Sequence, residues 1–175
     1  MKTGMILYTA LIALAIAGCQ ADPDFNYNDN TTLSQVDRGF LINAGMINKA
    51  EIDLGQLAST RATNSSVIQF GQMIVSDHGR ARTDLNNLGV AQGMTPPDSL
   101  DADHQRLMSL LLSQNGRAFD SIYIHSQIDD HQRSINYFRF ELEHGSYLPV
   151  VNFARAMIPI LERHLVTADS IARIL

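Results

Sequence analysis

Tryptophan is absent from this chain, and cysteine occurs once, at position 19. A single thiol leaves no intrachain disulfide and excludes a Cys-rich metal site. Positive charge is also short: 13 Lys and Arg face 18 Asp and Glu, for a formal net charge of -5. That balance excludes the basic patch of a nucleic-acid binder, so no nucleic-acid partner is expected. No apolar stretch reaches the roughly 20 residues of a membrane-spanning helix. The G-x-S-x-G setting of a nucleophilic serine is missing, and no alternating pattern of strand type stands out. What remains is 175 residues with 45% hydrophobic content, one domain with enough chain to bury a core.

The first residues differ in kind from the rest. Lys2 is the one charge before Cys19, and Met5 to Ala17 is apolar apart from Thr9. Residues 1–18 therefore read as a signal peptide. Ile16-Ala17-Gly18-Cys19 resembles the lipobox of bacterial lipoproteins. The resemblance implies a lipidated Cys19 as mature N-terminus and a membrane partner reached through that lipid. Gln20 after the cysteine, by likeness to the enterobacterial sorting rule, favours the outer membrane, facing the periplasm. Residues 19–32, rich in Asn and Asp without apolar period, read as a flexible tether.

From residue 33 to 175 the pattern is helical. Thr32-Leu33-Ser34-Gln35 offers a capping box, and apolar residues recur at helical spacing to about Arg61. Asn64-Ser65-Ser66 starts a second stripe, ended by Gly93. Pro96-Pro97 breaks the chain before a short helix over Asp101 to Ser113. A third long helix follows Asn115-Gly116 and closes at Gly145, and Pro149 opens a fourth. The expected fold is all-α: two antiparallel helical hairpins joined by a long crossover, the connectivity of a ferritin-like four-helix bundle. A bundle with short loops throughout is the competing topology.

Each long helix carries one ionisable residue within its apolar stripe. Glu51 lies among Ile47, Leu54 and Ala58, and His78 among Ile74, Ala81 and Leu85. His131 lies between Ile128 and Ile135, and His164 between Leu161 and Ala168. At about 1.5 Å rise per residue, Glu51 and His78 stand about 18 and 22 Å from the turn near residue 63. By the same rise His131 and His164 stand about 24 and 26 Å from the turn near residue 147. Four inward polar groups at one level must satisfy one another or a cation. Three imidazoles and a carboxylate suit Zn²⁺, Fe²⁺, Mn²⁺ or Cu²⁺. A metal-free buried hydrogen-bond network is the competing reading.

Several segments carry a family likeness: Phe40 to Arg61, Val67 to His78 with its Met73-Ile74-Val75-Ser76-Asp77-His78 ending, Phe119 to Ile124 leading to His131, and Pro159 to Leu165. Over about residues 37–175 they resemble the bacterial domains of unknown function numbered 4142, predicted outer-membrane proteins with a ferritin-like fold. The resemblance implies the helical bundle and supports Glu51, His78, His131 and His164 as recurring polar positions, with no established activity. Di-iron members of the wider superfamily use Glu-x-x-His on two helices. Here the positions three before the histidines are Val75, Ile128 and Leu161, which disfavours a di-iron oxidase.

Asp77, Asp130 and Glu162 point about 100° or more off the stripes and are expected to support the ligands or to be solvated. His104 and His125 are expected in solvent, and His144 at a helix C-terminus. Tyr123 and Tyr137 are expected in the core with hydrogen-bonded hydroxyls. The leading function is metal binding by an envelope-anchored bundle, in storage, buffering or stress protection. A metal-free structural or interaction module is the first alternative. An enzyme with an open coordination position is the second, and a sealed core would count against it. Metal binding needs neutral imidazoles and is expected to weaken below about pH 6.

Overall fold

A computed structural model describes residues 31–175. The signal peptide assigned to residues 1–18, Cys19 and the tether up to residue 30 lie outside the described residues. Five helices follow one another: α1 (Gln35–Arg61), α2 (Ser65–Ala91), α3 (Ala102–Leu112), α4 (Gly116–His144) and α5 (Leu148–Ala172). Among the described residues there is no strand, and no helix is long and apolar enough to cross a membrane.

Local chemistry explains most helix ends. Ser34 caps α1 and exchanges bonds with Asp37, so the capping box is Ser34–Asp37 rather than the Thr32–Gln35 pair. The Asn64 side chain accepts from the Ser66 amide at the start of α2. Gly93 closes α2 with φ of 67°. Its amide bonds the Val90 carbonyl, and the Met94 amide bonds the Gly89 carbonyl, so the last carbonyls are satisfied by a left-handed glycine. α5 carries Pro149 in its first turn and runs on through Pro159.

Two buried aspartates set the direction of the helices. Asp120, at the start of α4, accepts bonds from Thr63 N, Thr63 Oγ1 and Asn64 N in the α1–α2 turn. Asp37, at the start of α1, accepts from the Ser146 and Tyr147 amides in the α4–α5 turn. Hence α1 and α5 run one way, α2 and α4 the other. The segment from Gln92 to Asn115 must travel the length of the bundle, carrying α3 on its way. This is the long-crossover bundle expected from the helix pattern, not the one with short loops throughout.

Packing divides the interior into two apolar halves. One centres on Phe40, Phe138 and Phe153, and the other on Phe70, Phe119 and Tyr123. Each such buried aromatic contributes about 1.5–3 kcal/mol. Between Ile74 and Ala81 on α2, Ile124 and Ile135 on α4, and Leu161 and Ala168 on α5, the two halves are separated by a polar layer. α1 and α2 touch closely at Gly55 and Gly71: a Cβ on Gly71 would stand 2.8 Å from the Gly55 carbonyl oxygen.

Candidate metal centre

The polar layer is where three histidines meet. One ring nitrogen from each of His78, His131 and His164 lies within 4.8 Å of the other two. The ring centroids are 5.1 to 5.7 Å apart, and each residue is 1% exposed or less. The helical spacing brought them to one level, as their heights along the helices require.

Each ring holds an acceptor on its outer side. His78 Nδ1 faces Asn48 Oδ1 at 3.0 Å. The Asn48 amide nitrogen already donates to the Ala44 carbonyl, which leaves its oxygen as the acceptor. His131 Nδ1 lies 2.9 Å from the Gln127 carbonyl oxygen, and His164 Nε2 lies 2.9 Å from Asp77 Oδ2. The outer nitrogens are therefore the protonated ones, and the inner nitrogens present lone pairs. His131 Nε2 and His164 Nδ1 stand 3.1 Å apart, and His78 Nε2 is buried without a partner. An ion with tetrahedral bonds of about 2.0–2.1 Å holds neighbouring nitrogens about 3.3 Å apart, close to the spacing found between His131 and His164. Three converging lone pairs, each fixed from behind by a carbonyl or carboxylate, are a donor set that could hold a metal ion.

Electrostatics favour the same state. Burial pushes His131 and His164 down to about 4, and burial with the two neighbouring imidazoles pushes His78 well below its ordinary value. All three rings are neutral, as ligands must be, across the physiological range. For Asp77, burial works upward, but the bond from His164 and the charge of Arg163 hold its carboxylate below the ordinary value.

The fourth inward residue, Glu51, is 2% exposed but is not among the converging atoms. Its Oε1 is 3.7 Å from His131 Nδ1, the nitrogen turned towards Gln127. Burial, then the charge of Asp130, pushes Glu51 up to about 8. Asp77 bonds the His164 ring: it points off the stripe of α2 and α5 packs on that side. Asp130 is also buried, with Arg133 on Oδ1 and no partner for Oδ2. Glu162 is on the surface, paired with Arg139 at 2.8 Å.

Of the remaining expectations, those for His104 and the Tyr123 hydroxyl are corrected. His104 is only 14% exposed, because α3 lays it against α4: Nδ1 binds Asp101 at 2.7 Å and Nε2 stands 3.8 Å from Asp130. His125 and His144 are exposed as expected, each held by a carbonyl one turn back. Tyr137 receives a bond from Asn43 at 2.9 Å. Tyr123 is fully buried and its hydroxyl has no partner. Asn48 and the Gln127 carbonyl were missed. Asn48 sits one turn before Glu51 on the same face of α1, and that spacing was the one available signal.

A family model described as "Domain of unknown function (DUF4142)" matches residues 23–171. No curated protein matches the chain. A crystallised DUF305 fragment from Deinococcus radiodurans shares the fold, with a TM-score of 0.73 at 14% identity, over 82% of this chain and 99% of that one. A DUF305 protein of Streptomyces coelicolor, described as a candidate secreted protein, gives a TM-score of 0.67 at 15% identity, over 79% and 91% of the two chains.

Proposed function

For a chain that belongs to the DUF4142 family, whose description assigns no function, we propose transition-metal binding by a helical bundle outside the cytoplasm. His78, His131 and His164 are the protein ligands. The observation that carries this reading is the inward convergence of three unprotonated ring nitrogens, one of them buried without a partner. A cation resolves the repulsion of those lone pairs, which no hydrogen bond among three neutral rings of this tautomer can do. Imidazole donors suit Zn²⁺, Fe²⁺ or Cu²⁺ better than Mg²⁺ or Ca²⁺.

Holding and buffering the ion fit the site better than turnover. A catalytic metal keeps a position open to substrate, whereas these rings are 1% exposed or less. The lipobox at Cys19 and the candidate secreted relative support a location in the cell envelope, lipid-tethered at the outer membrane and facing the periplasm.

Elemental analysis tests the reading directly. The folded chain, purified without chelator or affinity metal, should carry about one equivalent of a transition metal, or take it up on addition. A folded His78→Ala, His164→Ala variant should carry little. Absence of metal from the unaltered chain after exposure to Zn²⁺, Fe²⁺, Mn²⁺ and Cu²⁺ would sink the proposal.

A further inference from the structure

The three histidines are sealed from solvent, so an ion must reach them by a path. A cleft of about 380 Å³ lies between α1, the start of α3 and α4. Four carboxylates line it: Asp103 and Asp101 near the mouth, 80% and 36% exposed, then Asp130 and finally Glu51. The two innermost are 6% and 2% exposed, and each has one oxygen, Asp130 Oδ2 and Glu51 Oε2, buried without a partner. Against them stand His104 and Arg133, whose side chain is 70% exposed. His104 Nδ1 bonds Asp101 at 2.7 Å, and its Nε2 is turned towards Asp130 at 3.8 Å. Glu51, at the inner end, is 3.7 Å from Nδ1 of His131, the nitrogen turned towards Gln127, and the inner nitrogen Nε2 lies across the ring.

We propose that this cleft is the loading route of the metal centre and that Glu51 is its transfer residue, taking a divalent cation from Asp130 and releasing it towards the cluster of three histidines. The inference rests on the metal-binding reading of the three histidines. Asp101, Asp103 and Asp130 outnumber Arg133 along the cleft, and that acidic excess raises the local concentration of cations and their rate of capture. Acceptors spaced along the path replace lost hydration stepwise, which a sealed imidazole site reached through apolar packing would not do. Glu51 acts before the ion is seated and is not a ligand of the seated ion. Its removal therefore slows arrival and departure together.

Stopped-flow absorption with Co²⁺ as the probe separates these effects, since nitrogen-bound Co²⁺ has its own visible bands. Glu51→Gln should slow loading and release alike by about tenfold or more, while Kd moves by less than a factor of about three. Asp103→Asn, an exposed change at the mouth, should slow loading and flatten its salt dependence with helical content unchanged. Unchanged rates in Glu51→Gln, or a loss of affinity as large as the loss of rate, would overturn the proposal, the latter by making Glu51 a ligand. Failure of the unaltered chain to bind Co²⁺ at nitrogen would instead remove the metal reading itself, and the route with it.

Discussion

Asp77 on α2 holds Nε2 of His164 on α5 at 2.9 Å, across the boundary between the two helical hairpins. The same carboxylate oxygen receives Arg163 at 2.7 Å. The bond fixes the ring so that Nδ1 faces the other imidazoles, and the anion raises its donor strength. Asp77→Ala should leave the helices intact and weaken metal affinity by about 10- to 100-fold. Competition against a chromophoric chelator measures it, and unchanged affinity would mean that packing alone orients His164.

Retention of metal should extend to lower pH than free histidine would allow. Burial lowers His131 and His164 to about 4, so protons compete with the metal only as that value is approached, not near pH 6. Dialysis at pH 7, 5.5 and 4 followed by elemental analysis should show full occupancy at the first two and loss at the third. Loss already at pH 5.5 would show that the rings are less protected than their burial implies.

A second pair of acids gives the metal-free fold its own pH profile. Glu141 is pushed up to about 8 by burial and by Asp37 beside it, while Asp37, despite burial, is held at about 2 by bonds from Ser34 and its neighbours. The raised acid binds its proton more tightly when folded, so its contribution falls as pH rises from its ordinary 4.5 through 8. Glu51 adds to the same fall. The depressed histidines cost stability as pH drops from 6.5 through 4, and Asp37 adds a loss as pH falls through about 2. Thermal unfolding should therefore be highest between about pH 5 and 6.5. Glu141→Gln should flatten the decline on the alkaline side, and an unaltered decline would assign it to Glu51.

Helix contact at the glycine pair should tolerate no methyl. In Gly71→Ala the new Cβ would meet the Gly55 carbonyl oxygen at 2.8 Å and the Ser59 amide nitrogen at 3.0 Å, both backbone atoms that cannot rotate away. Urea unfolding should show a loss of about 1–3 kcal/mol. Gly79→Ala, with nothing within 4 Å of its Cβ, is the control and should be neutral or stabilising.

The helices were legible because their signals are local. Asn64, Gly93 and Pro149 mark ends through their own side chains or φ, and the apolar period marks the faces. The level of the three histidines was legible too, since rise per residue is a constant of the helix. What the sequence did not carry is which neighbour lies on which side. Glu51 shares an inward face with the others, yet α1 turns it towards α4 and the cleft. Asp77 points away from its own stripe but straight at α5, and His104 leaves solvent only because α3 rests on α4. These placements depend on the lateral order of the helices, which one chain's periodicity leaves open.

The two clamps made by Asp120 and Asp37 lie at opposite ends of the bundle, far from the histidines, and each ties one hairpin to the turn of the other. Sliding the hairpins by one residue would break both. Rigidity imported from the ends thus presets the spacing of the imidazoles before any ion arrives. If the histidines hold an ion, folding and loading would be separate events, unlike in a zinc finger, which has no fold without its metal. Ion capture can then spend its free energy on coordination and on choosing among ions, with none diverted to gathering the helices.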